Sequence, residues 1–526
     1  MKKSILLLLL IFTLNIFSQK EANIWYFGRN AGIDFNTNPP IALTDGKLET
    51  FEGCSSFADS DGNLLFYVGA PNTSDNRLTV WNKDHDVMTY TDGTLGNNLL
   101  GNASSTQSAM IIPKPKSTSI YYLFTVDDGI DGTYDTFGNF VFTEDGKGLN
   151  LYTIDMSNGF GEIIEGPVDL SNGKFNDWTE KVAAVKGSDC NTFWIVSKVN
   201  NLFYAYKVDE NGVDLVPIIS TVNSYTSDAN RASRGYLKLS PDGNKLAIAN
   251  QGRNPGVEEL LLYTFDKQSG AVANDGISLL PNDFDGEAYG VEFSRTSEKL
   301  YVSTTSSFRG DLGDDPTVYK LFQFDLNALN IPNTKYKIHE QIGFRGALQL
   351  GPDGKIYATI PLAYNDEKGD ATFLSAIENP EADAEDVIFT PEAISLDGQK
   401  ATQGLPPFIS SLLLPIEITD NMTGEIINNQ DLKFCVGDNR TLEPEDVKGA
   451  NKTYEWFFDD GTSTSLIART LKLNLPDLQE SNSGIYTLTL KLTDDCGNTR
   501  QYDGSFNLSV YKAASAKPTP GAIYFC

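Results

Sequence analysis

LKLSPDGNKLAIAN, running from Leu237 to Asn250, sets a short apolar strand, a turn on Asp242-Gly243 and a second apolar strand in one phrase. Alternating apolar positions suit a pleated strand, and Asp-Gly supplies the backbone freedom of a tight hairpin turn. The phrase returns as VEFSRTSEKLYVST from Val291 and LQLGPDGKIYATI from Leu348. Looser copies read SSFADSDGNLLFYV from Ser55, SAMIIPKPKSTSIYYLFTV from Ser108 and KVAAVKGSDCNTFWIVS from Lys181. Successive copies lie roughly 40 to 70 residues apart, the range of propeller blades rather than of short solenoid repeats. A lone four-stranded sheet cannot bury its own faces, so such units stack radially about an axis.

Each phrase supplies the two inner strands of a sheet, and the residues after it supply the outer ones. ELLLYTFDKQSGAV (Glu259 to Val272), VYKLFQFDLNALN from Val318 and TFLSAIENPE from Thr372 are such outer stretches. IWYFGRNAGIDFNTNPPIAL, from Ile24, reads as second, third and fourth strands with no first. GLPPFISSLLL, Gly404 to Leu414, reads as a first strand with nothing after it. Joined, they predict a seventh sheet that closes the ring and removes its exposed edges. The fold expected for residues 20–414 is therefore an all-β, seven-bladed propeller, with six blades as the competing count.

From Ile416 to about Val510 a second all-β unit appears, assigned to residues 415–512. It carries Cys435, then Trp456 about twenty residues later, then SNSGIY ending at Tyr486, the marks of an immunoglobulin-like or PKD-like sandwich. The position where antibody-type domains place a second Cys is Leu488. Cys496, in a predicted hairpin turn, is the expected partner of Cys435. Residues 513–526, an Ala/Ser/Pro linker and an echo of LKFC, read as the start of a further sandwich repeat. The chain is thus expected to be the front part of a longer polypeptide.

Residues 1–19 have a secretory signal layout: Lys2 and Lys3, an apolar run from Ile5 to Phe12, then a weaker stretch to Ser18. No other stretch approaches the ~20 apolar residues of a membrane-spanning helix. The exported part then carries a net charge of −31, which repels nucleic acid and anionic lipid. The 526 residues are 40% hydrophobic and 11% aromatic, enough to build several cores. Five cysteines are few for an exported chain of this length, and Cys54 and Cys190 read as lone buried thiols.

The run Ala103 to Asp127, with NIWYFGRNAGIDF, GALQLGPDGKIYATIP, FLSAIENPE and GLPPFIS, resembles the N-terminal propeller of large surface proteins associated with gliding motility and type IX secretion. The resemblance extends over nearly all of residues 20–512. In that family, propellers precede PKD-like or immunoglobulin-like repeats and a C-terminal sorting domain. The resemblance implies a secreted or outer-surface protein with adhesive or scaffolding roles, or a periplasmic one should the polypeptide end at Cys526.

Chemistry-bearing motifs are scarce. The chain has two histidines, His85 and His339, neither near a second His or a Cys in sequence. That leaves little for a transition-metal site or a Ser-His-acid triad. No G-x-S-x-G, H-E-x-x-H or phosphate-cradling glycine loop occurs. Among the acidic runs, DSDGN (Asp59 to Asn63) reads as a hairpin turn, while Asp311, Asp314 and Asp315 are the candidate calcium ligands, with no other cofactor implied. The residues opening the innermost strands, Gln107, Glu180, Arg234, Glu287 and Arg345, should gather at one mouth of the ring. Two readings stand there: a grip on a polar ligand such as a sugar or peptide, or a network bonded to itself and to trapped water. Trp25, Trp81 and Trp194 fall in strand patterns and are expected in the core. Function divides accordingly into a non-enzymatic surface binding protein, a calcium-dependent hydrolase of lactonase type, and a structural spacer.

Overall fold

All six copies of the turn-and-strand phrase form antiparallel hairpins in the computed structural model. The structure describes residues 16–17, 20–37, 39–72, 77–127, 132–134, 140–142, 146–175, 178–189, 191–223, 234–251, 260–280, 286–306, 317–362, 369–413, 416, 418–425, 427, 431–447, 449–493 and 499–512. The chain divides into two units, Lys20–Leu414 and a second formed by residues 415–526 with residues 1–19.

Seven sheets of three to five strands succeed one another in the first unit, besides a separate two-stranded pair at 132–142. Their innermost strands are β1 (Ile24–Phe27), β2 (Ser55–Ala58), β3 (Ala109–Pro113), β4 (Trp178–Lys186), β5 (Leu237–Leu239), β6 (Glu287–Phe293) and β7 (Leu348–Leu350). Each contacts the next, from β1 through to β7. The first and last sheets meet where Trp25 and Phe35 pack on Tyr357, at 5.8 and 5.4 Å between ring centroids, and where Arg29 pairs with Asp370.

Burial depends on radius. β1, β2, β5, β6 and β7 are wholly buried, whereas outermost strands such as Tyr336–Ile342 and Ile218–Thr221 are largely exposed or half-buried. Apolar area is thus concentrated where sheets press on each other, the packing that lets a single sheet bury both faces. Trp25, Trp81 and Trp194 lie in this core.

The closing stretch departs from expectation. Gly404 to Ile409 forms no strand, and the first sheet keeps three strands, with β1 innermost. Pro406 and Pro407 have no N–H to give a ladder. Instead, residues 403–413 run along the inner strands from their beginnings to their ends. Gln403 N donates to Phe51 O (2.9 Å), and its carbonyl accepts from Ala347 N (2.8 Å). Leu405 N donates to the Tyr236 hydroxyl at 3.3 Å, and Phe408 packs 5.7 Å from Trp25. Farther on, Lys186 N donates to Ser411 Oγ (2.9 Å) and Arg295 Nε to Leu413 O (2.7 Å). One largely buried segment therefore bonds to or packs on residues in, or next to, six of the seven innermost strands. A Cβ on Gly404 would lie 1.6 Å from Glu52 O, so only glycine fits this crossing.

The second unit packs two sheets around one core. The larger contains β8 (Asp431–Cys435), β9 (Ala450–Asp459), a short edge strand Thr464–Ala468, β10 (Gly484–Thr493) and β11 (Thr499–Tyr511), with Ile16–Phe17 alongside β11. The smaller comprises Ile418–Asp420, Arg440–Pro444 and Leu473–Leu475. Trp456 is buried at its centre and donates Nε1–H to Thr470 O. The Tyr486 hydroxyl donates to Asn482 O at 3.0 Å, a corner bond that holds the chain where it enters β10.

Cys435 is disulfide-bonded. Cys496 itself lies outside the described residues. Cys435 sits opposite Tyr511 at one end of β11, while Thr493 and Thr499, which flank Cys496 in sequence, pair at the other end. Cys54 is a free, buried thiol whose burial pushes its pKa well above the usual range.

Candidate functional site

Short runs that precede the innermost strands converge at one end of the ring, because each strand there starts beside its neighbour. Glu180, on β4, accepts from Thr106 Oγ1 (2.9 Å) and Thr106 N (3.1 Å), and lies 3.6 Å from Arg234 Nε. Thr106 Oγ1 also accepts from Gly235 N (3.1 Å) and stands 3.5 Å from Glu52 Oε2. Glu52 in turn accepts from the Tyr289 hydroxyl (3.1 Å) and pairs with Arg345. Arg345 donates Nε–H to Gln403 Oε1 (2.6 Å) and Nη1–H to Gln251, and its guanidinium lies 4.7 Å from the Tyr289 ring centre.

Three of the five residues expected at this mouth, Glu180, Arg234 and Arg345, therefore join one network. Gln107 does something else: its side-chain amide brackets the backbone of Leu237, donating to the carbonyl (3.1 Å) and accepting from the N–H (2.8 Å). Glu287 opens β6 as a buried carboxylate opposite Thr305. Glu52, Thr106, Gln251, Tyr289 and Gln403 are network members that the sequence pattern does not single out. Glu52 was findable, since it precedes β2 much as Glu180 and Arg345 stand at the starts of later inner strands.

Most of this network is buried, with Arg234 half-buried at its edge. Glu52, Glu180 and Arg345 are each 1% exposed. Burial raises the Glu180 pKa above the ordinary carboxylate range, helped by nearby Glu52 and opposed by Arg234 and Arg345. Burial likewise raises Tyr236 and Tyr289. Lys181, which donates to Arg234 O (2.8 Å) and Asn250 Oδ1 (3.3 Å), is driven well below the usual lysine value by burial and then by Lys198. Burial brings Lys198 down to about 8. Two carboxylates facing two guanidiniums with shared hydroxyls neutralise one another, an arrangement that fixes register between sheets.

The acidic runs have protein partners where they are described. Asp59 accepts from Asp61 N and Asn63 N, both at 2.9 Å, and so forms the hairpin turn read from DSDGN. Glu381 accepts from Thr296 N (3.0 Å), and Asp383 pairs with Lys299 at 2.7 Å, tying the last two sheets together. Asp311, Asp314 and Asp315 lie outside the described residues. Among the described residues, no group of three or more His, Cys, Asp or Glu is placed to hold a metal. His85 packs beside Tyr26 and Tyr67, with Nδ1 3.0 Å from the Tyr67 hydroxyl and Nε2 3.2 Å from Asp45. Among the described residues no helix is long and apolar enough to cross a membrane.

No family model matches the chain, and no curated protein matches it. Among solved structures it is similar to the extracellular domain of BT4673 from B. thetaiotaomicron, at 11% identity and a TM-score of 0.36, over 94% of this chain and 57% of that one. It is also similar to xylan β-1,4-xylosidase from Bacillus halodurans C-125, at 9% identity and a TM-score of 0.31, over 76% of this chain and 94% of that one. The chain thus spans little more than half of the first of these structures. At such identities and scores, neither likeness bears on activity.

Proposed function

We propose that this chain is an exported, non-enzymatic binding protein in which a seven-bladed propeller and an immunoglobulin-like or PKD-like sandwich present rigid faces to a glycan, a peptide or a cell-surface protein. Seven sheets whose innermost strands touch in series support the seven-blade count over six. The Trp456 core and the Tyr486 corner support the sandwich reading. One observation carries the functional choice: the charges at the mouth are spent on each other, and residues 403–413 occupy the place along the inner strands that a channel ligand would need. Recognition then belongs to outward surfaces, as it does on other scaffolds where loops carry function. The resemblance to gliding-associated, type IX-secreted proteins supports a place on the outer surface.

A hydrolase is the second reading, favoured by Glu180, whose raised pKa beside a second buried carboxylate, Glu52, is an acid-base pattern as well as a structural one. One purified chain separates the two. The binding reading expects saturable retention on a glycan array or on whole cells, with no turnover of lactone, phosphoester or glycoside panels. Turnover that disappears in Glu180→Gln would overturn it. Removing the gene from its host should reduce surface attachment or spreading, and unchanged spreading would count against the motility link.

A further inference from the structure

Two lysines lie buried between the sheets of β4 and β5, near the end where those inner strands begin. Lys198 belongs to the strand Phe193–Val199, which pairs with β4. Its cross-strand partner is Phe203, which shares the core between the two sheets with Val196, Leu237 and Ile248. Side chains alternate along a strand, so Lys198 takes the face of Val196 and is directed into that core. Lys181 reaches the same space from β4, donating to Arg234 O (2.8 Å) and Asn250 Oδ1 (3.3 Å), which flank the β5 hairpin. Lys181 is 0% exposed and Lys198 2%.

The two amines differ in their surroundings. Lys181 has oxygen acceptors, whereas among the described residues Lys198 Nζ has none, and faces the Phe203 ring at 5.9 Å from its centre. Glu180, the carboxylate beside Lys181 in sequence, is engaged by Thr106 and Arg234. An ammonium buried without an acceptor is costly, so the site favours the uncharged amine, in keeping with the lowered pKa of Lys198. An uncharged lysine keeps its lone pair and is a nucleophile, the more so beside a second amine. Its 2% exposure selects the electrophile. A sugar aldehyde or an acyl donor is too bulky for such an opening, while carbon dioxide has three atoms and no charge.

We propose that Lys198 is a modification site for dissolved carbon dioxide, which it takes up as a carbamate paired with Lys181. The Nζ lone pair forms the N–C bond, one C=O electron pair moves onto oxygen, and the proton lost from Lys198 Nζ passes to Lys181 Nζ. Two uncharged amines and one carbon dioxide thus become a carbamate and an ammonium, with no change in net charge. The product sets an anion against a cation where two like groups stood, and the ammonium keeps Arg234 O and Asn250 Oδ1 as acceptors. Because the carbamate forms in the folded chain, where the amine is buried, carbon dioxide should stabilise the first unit. The inference stands independently of what the protein binds.

Carbon-13 NMR of the full chain in labelled bicarbonate, at about pH 8, tests it. Wild type should show one equivalent of carbamate carbon more than Lys198→Met, beyond the signal of the N-terminal amine that both share. Lys181→Met should lower the occupancy of that carbamate at least tenfold at the same carbon dioxide concentration. Alkylation of wild type with a trialkyloxonium salt, followed by digestion, should place the trapped carbamate on the peptide that contains Lys198. Thermal melts confirm that each variant is folded, and the wild-type Tm should rise from carbon dioxide-free to carbonated buffer at fixed pH and ionic strength, a rise absent in Lys198→Met. Equal carbamate signals in wild type and Lys198→Met overturn the proposal, as does trapped mass confined to the N-terminal and exposed amines. Full occupancy in Lys181→Met overturns the pairing with Lys181.

Discussion

Replacing Phe408 by Ala should destabilise the first unit more than any exposed substitution could, although Phe408 belongs to no strand. Its ring is 5% exposed and packs against Trp25 at 5.7 Å, in an aromatic group completed by Phe35 and Tyr357. Truncating a buried Phe removes its transfer free energy and leaves a cavity, together about 3–5 kcal/mol. For the Lys20–Leu414 unit, roughly 400 residues, an unfolding entropy of about 2.1 cal/mol/K per residue converts this to a Tm drop of about 4–6 °C. Differential scanning calorimetry of the intact chain reads it directly. Leu329→Ala, at a fully exposed site, serves as the control and should leave Tm within about 1 °C of wild type. A Phe408→Ala variant that melts with the control would refute the packing of residues 403–413 against the inner strands.

The charged mouth makes three further predictions. Arg345→Ala strands Glu52 in the interior without its cation and should cost about 3–5 kcal/mol by chemical denaturation, whereas Arg345→Met with Glu52→Gln should recover part of that loss. Glu180, whose folded pKa is raised, holds its proton longer in the folded than in the unfolded chain, so its contribution makes stability fall as pH rises from about 4.5 towards the folded value; Glu180→Gln should flatten the denaturation midpoint across that window. Lys198 has the opposite sign: with a folded pKa of about 8 against 10.5, the unfolded chain binds more protons between those values, so stability rises with pH there. Lys198→Met should remove that rise and stabilise the protein at pH 7 by an amount on the order of 3 kcal/mol, and an unchanged slope between pH 8 and 10.5 would reject the burial of this amine.

Much of the ring was legible because its signal is local. Asp242-Gly243 and Asp353-Gly354 both place glycine at positive φ, 72° and 84°, and the alternating residues around them pair in the register the pattern implies. What the pattern could not show is where a stretch with the right composition and the wrong backbone goes. GLPPFIS has the apolar content of a strand, yet Pro406 and Pro407 cannot donate, and burial along the inner strands is the alternative that satisfies its side chains. The mouth was half legible: residue positions opening the strands pointed to Glu180 and Arg345, but Gln251 and Gln403 come from a strand end and from the late segment, so only the fold brings them there. The expected partner of Cys435, Cys496, lies outside the described residues.

Amide hydrogen exchange across residues 403–413 tests the filled ring most directly. Gln403 and Leu412 donate to backbone carbonyls of Phe51 and Ile409, and Leu405 donates to the buried Tyr236 hydroxyl. These amides should exchange as slowly as those of β5 and β6, on the timescale of global unfolding. Exchange within seconds, with β5 and β6 still protected, would mean that the segment lies outside the ring and that the space along the inner strands is open to a ligand.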